Sequence, residues 1–164
     1  MVAYALACAL SRNFWQPVPD GLPARIVWLY ISSSLVAMGG LGLMFAPTRR
    51  HAGLLLSVVF GVLAACYLPR VINYAHLIGA WLGFAEHLAI AVGAAAIWLR
   101  QGSESPPRAV TLAMRLFYSA LAIVFGLSHI LSLPETVALV PAWLPGSGEF
   151  WAVATAIGHF GVAL

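Results

Sequence analysis

The chain has 164 residues, of which 62% are hydrophobic and 8% charged, and its mean hydropathy is +0.94. So little polar surface excludes a water-soluble globule and leaves lipid as the solvent for most of the chain. All eight basic residues are Arg, the net charge is +3, and no element carries the basic stripe that a nucleic-acid binder needs.

Residues 2–10 are apolar but have no basic leader and no small-residue cleavage site, so they read as a short first helix rather than a secretory signal. Cys8 in this run and Cys66 further on lack C-x-x-C spacing and read as small buried side chains rather than a disulfide. Residues 26–45 are twenty positions without a charge. At about 1.5 Å per residue that length crosses a hydrocarbon core of about 30 Å. Residues 52–68 form a shorter run, expected to end at Pro69, whose ring removes a donor and clashes with the preceding turn. Residues 77–99 are interrupted only by Glu86 and His87, residues 116–133 end at Pro134, and a last run covers 150–164. The expected fold is an all-α transmembrane bundle with four full spans, a short first helix and a truncated last one. Glycines such as Gly39, Gly83, Gly126 and Gly161 lie inside these runs, where they let helices approach closely.

Two phrases match. Val18-Pro19-Asp20-Gly21-Leu22-Pro23 returns as Val140-Pro141-Ala142-Trp143-Leu144-Pro145, 122 residues on. Four spans separate them, so both should lie on one face and the repeat should be parallel, with Gly39 matching Gly161. The chain divides accordingly into a first unit of four helices over 1–100, a connection over 101–111, and the start of a second unit over 112–164. The paired prolines imply a stiff re-entry into each following helix.

Arg49, Arg50, Arg100, Arg108 and Arg115 fall on one face, against Arg12, Arg25 and Arg70 on the other, which places the first set in the cytoplasm. Trp15, Trp28, Trp143 and Trp151 surround the two phrases, as an interfacial aromatic belt would. In an otherwise cysteine-free chain, Ala142→Cys should label from outside and Arg50→Cys should not. The reverse labelling would invert the topology.

Glu86 and His87 are the first candidate site, because ionisable groups near mid-membrane are costly and usually face the bundle interior. Glu86 is expected to point inward and to find a polar partner. His159 lies about as deep in its own run as His87, and such a pair is able to ligate a haem, pass protons or hydrogen-bond a quinone head group. His129, Glu135 and Trp143 make a second candidate, an outward-facing pocket where Pro134 breaks the helix and frees carbonyls. Each set has a structural alternative: a polar pair satisfied by neighbouring helices, and solvated interface residues. No nucleophile elbow, phosphate loop, dinucleotide fingerprint or metal-binding helix occurs.

Gly126-Leu127-Ser128-His129, Pro134-Glu135-Thr136, the phrase at 140–145 and Phe150-Trp151 resemble the DoxX-like family of small bacterial membrane proteins. Trp15-Gln16-Pro17-Val18-Pro19 and Trp81-Leu82-Gly83-Phe84-Ala85-Glu86 resemble the first half of duplicated members. The resemblance implies four-helix units in a bacterial plasma membrane and, for founding members, association with a complex that passes electrons from sulfur compounds to quinone. It carries over no catalytic motif. The chain departs from the pattern at both ends, where the first helix is short and the second unit stops inside its second helix, as a fragment would.

The leading expectation is a non-enzymatic membrane protein with lipid and other membrane subunits as partners, an accessory to a quinone-linked redox complex. Two others stay open: a quinone- or haem-binding enzyme built on Glu86, His87, His129 and His159, and a small-solute transporter using the repeat and Glu86.

Overall fold

The computed structural model describes Leu6, Leu10, residues 21–102 and residues 105–164. Cys8, Arg12, Trp15, Val18, Pro19 and Asp20 lie outside the described residues. Among the described residues there is helix and no strand: α1 (Arg25–Met44), α2 (Arg49–Ala65), α3 (Leu68–Asn73), α4 (Ile78–Arg100), α5 (Arg108–Leu131), α6 (Leu133–Ala138) and α7 (Gly148–Ala163). Four segments are long and apolar enough to cross a membrane: Arg25–Met44, Arg49–Asn73, Ile78–Arg100 and Arg108–Leu131. The protein is a multi-pass, all-α helical bundle.

Each long helix packs on the next in the chain, giving the row α1, α2, α4, α5, α7. The α1–α2 corner is tied where α1 leaves carbonyls unpaired. Thr48 Oγ1–H donates to the Gly42 carbonyl (2.7 Å) and Arg49 Nε–H to the Leu43 carbonyl (3.2 Å). Between α2 and α4, Gly53 lets two backbones meet: a Cβ there would lie 2.9 Å from the Ala94 carbonyl oxygen and 3.0 Å from the Trp98 nitrogen. The main core fills this same interface, with Leu56, Val59, Phe60 and Leu63 of α2 against Ala91 and Ala94 of α4, and Val36 of α1 beside them. Large apolar side chains stay exposed on the outer faces, among them Met38, Ile72, Leu116, Leu131 and Ile157. A lipid solvent tolerates that surface; water does not.

Ahead of Pro134 the span ends as the sequence implied, α5 closing at Leu131, but Pro69 does not end its run near residue 68. Each sits in the first turn of a short new helix, α3 and α6. There the missing N–H has no helical acceptor to lose and the fixed φ already suits the helix. The second span therefore continues through α3 to Asn73 instead of ending near residue 68.

The phrase at 140–145 forms a turn, with the Leu144 N–H donating to the Pro141 carbonyl (3.0 Å) and Gly146 at φ +94. Ser147 then caps α7 by accepting from the Phe150 N–H (3.1 Å), a stiff entry of the kind the prolines imply. Gly39 and Gly161 have different surroundings. A Cβ on Gly39 would strike Leu56, and one on Gly161 meets open space.

Candidate functional site

The segments α2–α3 and α5–α6 share a register of 65 residues, and the matching positions of α4 and α7 follow at offsets of 70 (Trp81 and Trp151) and 72 (His87 and His159). Leu56, Val59, Phe60, Gly61, Leu68 and Pro69 return as Leu121, Val124, Phe125, Gly126, Leu133 and Pro134. Several contacts return with them. Phe60 stacks on His87 at 5.7 Å between ring centroids and 44°, and Phe125 stacks on His159 at 5.4 Å and 40°. Trp81 Nε1–H donates to the carbonyl six residues earlier, Ala75, at 2.9 Å, and Trp151 does the same to Pro145 at 2.6 Å.

Polarity and size then separate the two hairpins. Leu63, Ala64, Tyr67 and Val71 of the first are matched by Ser128, His129, Ser132 and Thr136 of the second. The Tyr67 ring stands 5.2 Å from His87 and lies against Gly83. Ser132 has no ring to place beside His159, and a cleft of about 740 Å³ opens there instead. Its walls come from α4 (Leu82, Glu86), α5 (Phe125, Ser128, His129), α6 (Glu135, Thr136), α7 (Trp151, Thr155, His159) and the phrase turn (Val140, Pro141, Leu144).

This cleft brings together Glu86, His159, His129 and Glu135, which the sequence had divided between a mid-membrane site and an outer pocket. His129 and His159 face each other edge-on, 5.3 Å between centroids at 62°. His87 is not among them. It lies on the α2 side of α4, beside Phe60 and Tyr67, with its Nδ1–H donating to the Gly83 carbonyl at 2.8 Å. His87 and His159, equal in depth, therefore do not face one another, because the helical turn from Glu86 to His87 swings the imidazole onto the other face. Trp143 is also outside. It is 79% exposed, since the phrase turn carries Leu144 into the cleft and Trp143 away from it, and Trp151 supplies the aromatic wall.

Glu86 opens into the cleft with no hydrogen bond or ion pair to the described residues, which differs from the expected bonded partner. His129 Nδ1–H donates to the Phe125 carbonyl at 3.0 Å. A carbonyl only accepts, so Nδ1 carries a proton, and in the neutral ring Nε2 is left as an acceptor. Among the described residues no three His, Cys, Asp or Glu side chains stand close enough to hold a metal ion, and Cys66 is a free, partly buried thiol.

Sequence reasoning passed over Ser132 and read Trp151 as part of the interfacial aromatic belt rather than as a cleft wall. The signal for Ser132 was the L-x-x-V-F-G and L-P pattern repeating at 65 residues, which aligns it with Tyr67. Set against protein-family models, curated proteins and solved structures, the chain finds no match.

Proposed function

We propose that this protein binds the ring of a quinone-type cofactor in the α4–α5–α7 cleft and serves as an accessory subunit of a quinone-linked redox complex in a bacterial plasma membrane. The observation that carries the reading is the exchange of Tyr67 for Ser132 between two hairpins that share the Leu-x-x-Val-Phe-Gly and Leu-Pro positions. In the first hairpin a hydroxyaryl ring belonging to the chain occupies the space beside the stacked histidine. In the second, Ser132 supplies no such ring, and beside the His129 ring that meets His159 the cleft stays open with polar surroundings, so a ligand ring of similar hydrogen-bonding character suits it.

The volume fits such a ligand. At about 740 Å³ the cleft lies within the range of small-molecule sites and far exceeds one ring, which leaves room for the start of an isoprenoid tail. Phe125 and Trp151 offer apolar faces, and a reduced ring's O–H has an acceptor in His129 Nε2. Glu86 and Glu135 are carboxyl groups able to exchange the protons that accompany reduction, the electrons coming from a partner subunit. The resemblance to the DoxX-like family supports the same assignment.

Titrating the purified protein with a short-chain quinone should quench part of its tryptophan fluorescence through Trp151. Ser132→Tyr should weaken binding more than about tenfold by filling the cleft, while Ser132→Ala leaves it within about twofold. Equal binding by Ser132→Tyr would overturn the proposal. A b-type haem absorbance band in the purified protein would replace it with the haem reading.

A further inference from the structure

The end of the bundle opposite the cleft holds a second cavity, of about 390 Å³, between α4, α5 and the end of α7. Val92, Ala96 and Met114 give it an apolar wall, and Gly93 a floor without a side chain. Two guanidiniums also line it: Arg100, the last residue of α4, and Arg115 on α5. Arg115 is the eighth residue of α5, so its Cα lies about 10 Å along the axis from that helix end. A cation at that depth is costly unless it snorkels or meets an anion. Neither guanidinium has a hydrogen bond or ion pair with the described residues.

The chain has few acids with which to answer this charge. Arg49, Arg50, Arg100, Arg108 and Arg115 all start or end helices at this end of the bundle or lie within two turns of it. Of the five acidic residues, Glu86 and Glu135 line the cleft at the other end, Glu149 opens α7 there, and Asp20 precedes α1. Glu104, in the α4–α5 connection, is the one acid whose place in the sequence belongs to this end. The guanidiniums outnumber the acids that the sequence places at this end, so an anion from outside the chain has donors to meet here.

We infer that this cavity is a site for an anionic phospholipid, its phosphate held by Arg100 and Arg115 and one acyl chain laid along Val92, Gly93 and Ala96. A guanidinium presents paired N–H donors that match phosphate oxygens, which favours Arg for this contact. A basic pocket between membrane helices, near the surface where headgroups lie, has the arrangement that recognises such lipids. The apolar wall selects a lipid over a free anion, since inorganic phosphate would use the two Arg and leave that wall bare. The site is separate from the cleft and does not depend on what the cleft binds.

The test uses the purified full chain in neutral detergent, followed by native mass spectrometry and thermal unfolding, with phosphatidylglycerol, phosphatidylcholine or glycerol phosphate added. Phosphatidylglycerol should bind about tenfold more tightly than phosphatidylcholine, and Arg100→Gln and Arg115→Gln should each weaken it about fivefold. Arg108→Gln, on the same face but outside the cavity, should leave it unchanged. Gly93→Leu keeps every charge and meets no atom within 4 Å at its Cβ, so it should fold and yet lower phosphatidylglycerol binding by filling the acyl groove. Equal binding of the two lipids, equal losses from Arg108→Gln and Arg115→Gln, or no loss in Gly93→Leu would each overturn the site. Stabilisation by glycerol phosphate equal to that by the lipid would show an anion site without lipid recognition, and would overturn it too.

Discussion

Gly53→Ala should be among the most damaging one-carbon changes in the protein, and Gly61→Ala, two turns along the same helix, should be harmless. At Gly53 the added methyl would sit 2.9 Å from the Ala94 carbonyl oxygen and 3.0 Å from the Trp98 nitrogen. Those are backbone atoms, which cannot rotate aside as a side chain does, so α2 and α4 must separate. Separation loosens Leu56, Val59 and Phe60 from Ala91 and Ala94, the centre of the core. Overpacking of this kind costs about 1–3 kcal/mol. The gain in helix propensity over Gly returns at most about 1 kcal/mol. At Gly61 no atom lies within 4 Å of the added methyl, so only the propensity gain applies. Thermal unfolding in detergent reads the difference directly. Gly53→Leu should abolish the folded, monodisperse species altogether. A Gly53→Ala protein that melts at or above the parent would show that α2 and α4 are less tightly apposed than described here.

His129 and His159 should act as one unit in quinone binding. His159→Phe keeps a ring against Phe125 but removes both ring nitrogens, and His129→Phe removes the Nε2 acceptor together with the Nδ1–H bond to the Phe125 carbonyl. Each single variant should weaken short-chain quinone binding about tenfold, the scale of a lost hydrogen bond to a buried ligand. The double variant should be little worse than either alone, because rings 5.3 Å apart share one ligand contact. Losses that multiply in the double variant would place the two histidines in independent roles, and no loss in either would remove the ligand from this end of the cleft.

The spans were legible in the sequence because lipid imposes a simple rule: twenty uncharged residues make a crossing. Residues 26–45 and 77–99 coincide with α1 and α4 to within a residue or two. Pro69 was misread because a proline that breaks a helix also starts one, and only the position of the next turn decides between them. The grouping of Glu86 with His129, His159 and Glu135 was not legible from depth, since depth fixes height along a helix and leaves its rotation free. Rotation is set by packing, here by Phe60 and Tyr67 claiming the His87 face of α4. The 122-residue phrase drew attention to matching prolines, whereas the 65-residue register carried the comparison that isolates Ser132. Gly53 escaped notice because its importance lies in the backbone of α4 opposite it, which no reading of α2 alone supplies.

The row in which each long helix meets its neighbour in the chain has a consequence for how the protein is made. Its helix contacts are between segments that leave the ribosome one after another, α1 with α2, α2 with α4, α4 with α5 and α5 with α7. Among the described helices none has to wait for a distant one to complete its main packing, so the entropy of closing long loops between them is small and their assembly is expected to be fast. Each hairpin can settle as soon as its second strand of chain has entered the bilayer, and the bundle grows sideways from one edge. The cleft, lined by α4 through α7, is then the last feature to form, and it does so on a platform of α1, α2 and α4 that has already folded.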